Sequence, residues 1–280
     1  RKEQQREHHR EQIVREMTME NPRARRSSPK RASSPRDNSN RPKLPPRMAL
    51  KKKKENEEPR RVEPEIPQEI YREEIEPEIK RELSSLSADN AEQTARHLIA
   101  LVHFLPIDAQ RAHLHGVAAS ARAARVGRVR ELAGIAAYAA EKFDVALREL
   151  KTAFRITGDP TFWAMMADCH RGMGEPLKAI ELGRAPEAKL LDKEAQVELR
   201  IVLSGARRDL GEFAAAVTSV KCKELEERNS TWSARLRYAY ADALEASGDI
   251  EGARNWFGKA TEVDINHETD ASERLKKLST

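Results

Sequence analysis

Histidine, cysteine, glycine and arginine are the residues of this chain from which a reactive or binding site could be built. Each can be tested against the spacing its chemistry requires. His97, His103, His113 and His115 fall in two consecutive helical stretches. His113 and His115, two apart, point to different sides of a helix, and His97 and His103, six apart, align little better, so neither pair suits a shared metal. Ordinary surface or partly buried histidines are the expectation. Cys169 and Cys222 are the only cysteines, too few for a disulfide framework, and read as buried reduced thiols. Gly172-Met-Gly174 lacks the third glycine and preceding strand of a dinucleotide loop and reads as a turn between helices. The sequence contains neither a Gly-x-Ser-x-Gly elbow nor a Lys-Ser/Thr phosphate loop. The expectation is a chain with no catalytic residues, no cofactor and no metal.

Composition divides the chain. Residues 1–62 hold 20 Lys and Arg against 9 Asp and Glu, a charge of +11, while the remaining 31 basic and 37 acidic residues give −6. In residues 1–62 only Ile13, Val14, Leu44, Leu50 and Val62 are Leu, Ile, Val or Phe, too few to offset the ordering entropy of folding, so a disordered basic tail is expected. Lys30, Arg31 and Arg36 flank two Ser-Pro pairs, and Lys51, Lys52, Lys53 and Lys54 form a block. Such a tail suits RNA or DNA phosphates in a salt-sensitive, sequence-independent way, or serves as a solvated tail alone. No apolar run is long enough for a membrane span and no segment resembles a signal peptide, which predicts a cytoplasmic location and no membrane partner.

Residues 63–82 form a second segment, acidic and rich in Pro and Ile. Ile66 and Ile70 are four apart, as are Ile75, Ile79 and Leu83, which puts them on helical faces. Pro64, Pro67 and Pro77 prevent one long helix but suit the starts of short ones. The segment is expected to dock its isoleucines on the body, or to act as a counter-charge to the tail. From residue 83 to 280 the pattern is helical. Asp89 with Glu92 looks like a capping box, a helix runs to about Leu105 before Pro106, and a second runs from Asp108 to about Arg125.

From Val129 the pattern repeats. Gly174, Gly211 and Gly248 are 37 apart, each followed five residues later by Ala179, Ala216 or Ala253. An earlier copy has Ala146 in register, with Glu141 in the glycine's place. Gly134, Ala167, Ser204 and Ala241 sit seven before each turn position. Small residues at such places let two helices approach, and a period in this range predicts an all-α solenoid of stacked helix pairs. Asp270 and Glu273 open a short last helix whose Leu275 and Leu278 would cover the final pair.

Over roughly Val129 to Ile265 the chain resembles the tetratricopeptide repeat family. Trp163 with Met166 and Ala167, Ala146 with Ala153, and Ala253 with Phe257 and Ala260 match signature positions. The period of 37 departs from the family's 34. The chain also resembles bacterial repeat proteins with charged tails, which carries no activity with it. The family resemblance implies that the first helix of each pair lines a concave groove. By register, Arg128, Tyr138, Asp168, Arg171, Arg208, Arg235, Tyr238 and Asp242 would project there. Arginine forks and tyrosines suit an acidic or extended peptide, and ion pairing within the array is their other use. The family's Lys and Asn clamp for C-terminal carboxylates is not found. The function expected is a scaffold or adaptor for a protein or peptide partner. The alternative is an RNA- or ribosome-associated protein acting through its tail, and a third option places the acidic segment in the groove as an internal ligand.

Overall fold

The computed structural model describes residues 63–72 and 77–279. The tail, with Lys30, Arg31, Arg36 and Lys51 to Lys54, lies outside them, as does Ile75. The described residues form twelve α-helices and no strand: α1 (Pro77–Glu82), α2 (Ala88–Phe104), α3 (Ala109–Arg122), α4 (Gly127–Ala139), α5 (Phe143–Thr157), α6 (Trp163–Gly172), α7 (Pro176–Arg184), α8 (Lys193–Asp209), α9 (Phe213–Val220), α10 (Ser233–Ser247), α11 (Ile250–Val263) and α12 (Ala271–Leu278). The pairs α2/α3, α4/α5, α6/α7, α8/α9 and α10/α11 stack in order, and α12 packs on α11.

One corner is built four times. Glu141, Gly174, Gly211 and Gly248 all hold positive φ, at 59°, 75°, 75° and 91°. At each, the following N–H reaches back to a carbonyl five residues earlier: Lys142 to Ala137, Glu175 to His170, Glu212 to Arg207 and Asp249 to Leu244, at 2.8 to 3.0 Å. These are the long hydrogen bonds that close a helix whose last residue turns left-handed. Pairs are held close by the small residues the repeat predicts. Ala146, Ala179, Ala216 and Ala253 are each 0% exposed. A Cβ on Gly134 would lie 2.7 Å from Leu150, and the Ser204 hydroxyl donates to the Ala216 carbonyl at 3.0 Å.

The two spacings of the repeat have a structural cause. Where the step is 33 residues, α5 continues to Thr157. Where it is 37, the second helix stops early, α7 at Arg184 and α9 at Val220, and a 3₁₀ turn follows, Pro186–Lys189 or Lys223–Glu226. Pro186 lacks the N–H that would extend α7. The first helices α6 and α8, and α8 and α10, pack on each other directly, while the second helices stand further apart. The array therefore curves with its first helices inside.

The residue eleven before each corner has a shared role that its varied identity conceals. Trp163 Nε1 donates to the Leu182 carbonyl at 2.9 Å, and Arg200 Nη1 donates to the Ser219 carbonyl at 3.4 Å. Arg130 pairs with the Glu149 carboxylate. Arg237, 2% exposed, donates to the carbonyls of Leu225, Glu227 and Lys259. Each ties the first helix of a pair to its second helix, and in the last pair Arg237 also reaches the loop just before it.

The capping box at α2 is not formed. Ser87 is the N-cap and makes no side-chain cap, while Glu92 accepts from Arg96 one turn on at 2.8 Å. The acidic segment does dock. Ile70 is 0% exposed, Leu83 is buried, and Ile66 and Ile79 pack at the edge of the same cluster. Arg96 Nη1 donates to the Ile70 carbonyl at 2.8 Å.

The corners yield a measurable contrast. A Cβ on Gly211 would meet nothing within 4 Å, so Gly211→Ala loses only the left-handed backbone preference, about 1 kcal/mol. Glu141 already bears that strain, and Glu141→Gly is expected to recover up to about 1 kcal/mol. Urea midpoints of the two variants should move in opposite directions.

Candidate functional site

The eight residues that register placed in the groove all lie on first helices, and all but Arg128 are engaged with another part of the array. The Tyr138 hydroxyl donates to Asp168 at 2.5 Å. Arg171 donates to Asp168 and, in the next pair, to Asp209, both at 2.8 Å. Arg208 pairs with Asp242 in the pair after that. Asp242 also accepts from Arg274 of α12 at 3.1 Å, and Arg274 reaches Glu245 and the Tyr238 hydroxyl as well. Arg235 lies 2.6 Å from Glu198 of the preceding pair, off the line of a good hydrogen bond. Arg128 pairs with Glu131 on its own helix at 3.3 Å.

Corner geometry explains the ladder. Tyr138, Arg171, Arg208 and Glu245 each sit three before a corner, so stacking brings successive members together near one edge of the inner face. Asp168 and Asp242 sit six before their corners, one turn back, where a neighbouring arginine can reach them. The Tyr138 hydroxyl is held well above its ordinary pKa by burial and by Asp168. Burial likewise raises Tyr238, helped by the carboxylates of Asp270 and Asp242. Both phenols are fixed as neutral donors.

Sequence reasoning missed Arg274. It belongs to the helix expected to cover the last pair with leucines, and it is 7% exposed, with its guanidinium 4.9 Å from the Phe257 ring centroid. Asp270 and Glu273 do open that helix, Leu275 and Leu278 pack at the edge of the core, and Lys276 and Lys277 are exposed. The signal for Arg274 was its place one turn beyond Asp270, which carries no hint of burial.

A second polar cluster joins the acidic segment to the first pair. His97 and His115, each 1% exposed, place their Nδ1 atoms 3.1 Å apart. Glu63 approaches His97 Nε2 at 3.5 Å and accepts from Arg122 at 2.6 Å. The arrangement assigns a proton to His97 Nε2, facing the carboxylate, so His97 Nδ1 accepts from His115 Nδ1–H. The His115 ring stacks on Phe104. Among the described residues no three His, Cys, Asp or Glu gather as metal ligands, and no helix is long and apolar enough to cross a membrane. Cys169 is buried and its thiol is pushed up in pKa by that burial; Cys222 is partly exposed.

Burial depresses both imidazoles, His115 to about 4. A depressed histidine stabilises the fold above the unfolded pKa near 6.5, and that stability is lost as pH falls from about 6.5 towards 4. The urea midpoint is therefore expected to fall over this window by an amount equivalent to roughly 1–3 kcal/mol, and His115→Phe should flatten the slope. The ladder predicts a second contrast. Asp242 is 6% exposed between two arginines, so Asp242→Ala is expected to cost about 3–5 kcal/mol. Arg128→Ala, which removes a one-third-exposed arginine from the mostly buried Glu131 on its own helix, is expected to cost less, about 1 kcal/mol. Thermal melts of both variants check this. Among known proteins, no family model and no curated protein matches this chain.

Proposed function

We propose that this chain is a non-enzymatic scaffold of the tetratricopeptide kind, and that it holds a protein or peptide segment along the inner face of its first helices. The observation that supports this most is the ladder itself. Arg128, Arg171 and Arg208 are about one-third exposed, and each fork is anchored by a carboxylate of the array. An anchored guanidinium keeps further N–H donors for a ligand carboxylate or carbonyl while losing little side-chain freedom on binding. Tyr138 and Tyr238 set rigid rings among them, with Tyr138 T-shaped on Phe143 and Tyr238 on Phe257. The acidic segment docks by Ile70 and Glu63 on the first pair, which argues against the internal-ligand option.

The test is affinity capture with the full chain, with and without nuclease, at low and moderate salt. Proteins held by the inner face should survive nuclease and moderate salt, and should be held about tenfold less tightly by the double variant Arg128→Ala/Arg208→Ala. Partners that disappear with nuclease, and that ignore the double variant, would instead favour nucleic-acid association through the tail.

A further inference from the structure

On the outer face, formed by second helices, α5 carries exposed cations with few partners among the described residues. Helix α5 stands between two hollows. In the one between α3 and α5, of about 450 Å³, the charged groups are largely paired: Glu149 takes Arg130, Ser120 and, at 3.5 Å, Arg148. The hollow on the other side of α5, of about 500 Å³, is different in kind. Its floor is apolar, built from Leu147, Phe154, Trp163, Met166 and Leu182. Phe154 packs edge-on against Trp163, with ring centroids 5.2 Å apart, and the indole N–H is spent on the Leu182 carbonyl, so the floor offers no polar group from Trp163.

Along one rim run Arg148, Lys151 and Arg155, all exposed. Their spacing of three and four residues puts them on one face of α5 over about 10 Å of helix axis. Among the described residues Lys151 makes no hydrogen bond or ion pair, and Arg155 donates only to the Thr152 hydroxyl on its own helix. Arg148 shares a carboxylate that Arg130 already holds more closely. Asp144, at the N-terminal end of α5, is the one acid lining the groove. The arginines of the inner face are neutralised by the ladder; among the described residues Lys151 and Arg155 pair with no carboxylate, and Arg148 only with a shared one.

We propose that this groove between α5 and α7 docks an acidic peptide segment carrying one aliphatic or aromatic anchor. The anchor fills the slot over Phe154 and Trp163, and carboxylates beside it meet Arg148, Lys151 and Arg155. In an extended peptide, side chains on one face repeat every ~6.8 Å, so acids two residues before and after the anchor share its face and lie within reach of the long rim side chains. An apolar floor favours such a peptide over a phosphate backbone, which has no anchor to bury.

An array of short synthetic peptides, varied in acid content and in the presence of one Ile, Leu or Phe, tests this on the full chain. Acidic peptides with an anchor should bind best, and their Gln-for-Glu and Ser-for-anchor twins should be weaker by about tenfold or more. The double reversal Lys151→Glu/Arg155→Glu, at exposed positions that leave the helical melt intact, should abolish that preference, and Lys151→Arg should keep it. The inner-face variant Arg128→Ala/Arg208→Ala should bind these peptides like the unaltered chain, which separates this groove from the inner surface. Three results would each overturn the proposal: no preference for acidic anchored peptides, binding indifferent to the double reversal, or displacement of the peptide by oligouridylate of equal charge.

Discussion

The rest of the structure depends on how closely two backbones approach at each corner. Ala146, Ala179, Ala216 and Ala253 have no accessible surface because the partner helix lies directly over them. A left-handed residue five positions earlier turns the chain sharply enough to make that approach. Interhelical distance, the burial of the intervening leucines and the offset between consecutive pairs all follow from this. So does the ladder, because only a fixed offset carries Arg171 to Asp209 and Arg208 to Asp242. Dispersion and apolar burial hold the pairs together, and the charges then set the pairs in register along the inner edge.

The corners and their small residues were legible in the sequence because a steric requirement is written in residue type. Glycine answers positive φ, and alanine answers a closed gap. Glu141 shows that the rule can be broken once, and its register still revealed it. The ladder was half legible. The periodicity placed its residues on the inner face, but which carboxylate each arginine takes depends on an offset between pairs that no local pattern encodes. Arg237 and Arg274 were not legible, since an isolated arginine in a helical pattern reads as solvated. His97 and His115, eighteen residues apart on antiparallel helices, belong to no local motif. The capping box at Asp89 and Glu92 failed for a local reason: the helix begins earlier, with Ser87 as N-cap, so Asp89 lies inside its first turn and Glu92 turns to Arg96.

Inner and outer faces follow different electrostatic logic. Inside, charges are matched from one helix pair to the next, so the inner edge is polar with its charges largely paired. Outside, on α5, a short row of cations borders an apolar slot and is matched by little of the array. The two faces therefore differ in kind: paired charges inside, and cations with few partners beside apolar side chains outside.

Arg274 has a consequence for how α12 is held. That helix places a guanidinium on Asp242, the carboxylate that already holds Arg208. One acid thus joins three consecutive structural units. A helix of eight residues is too short to persist by its own backbone hydrogen bonds, so this shared carboxylate anchors it in orientation while Leu275 and Leu278 supply its apolar contact.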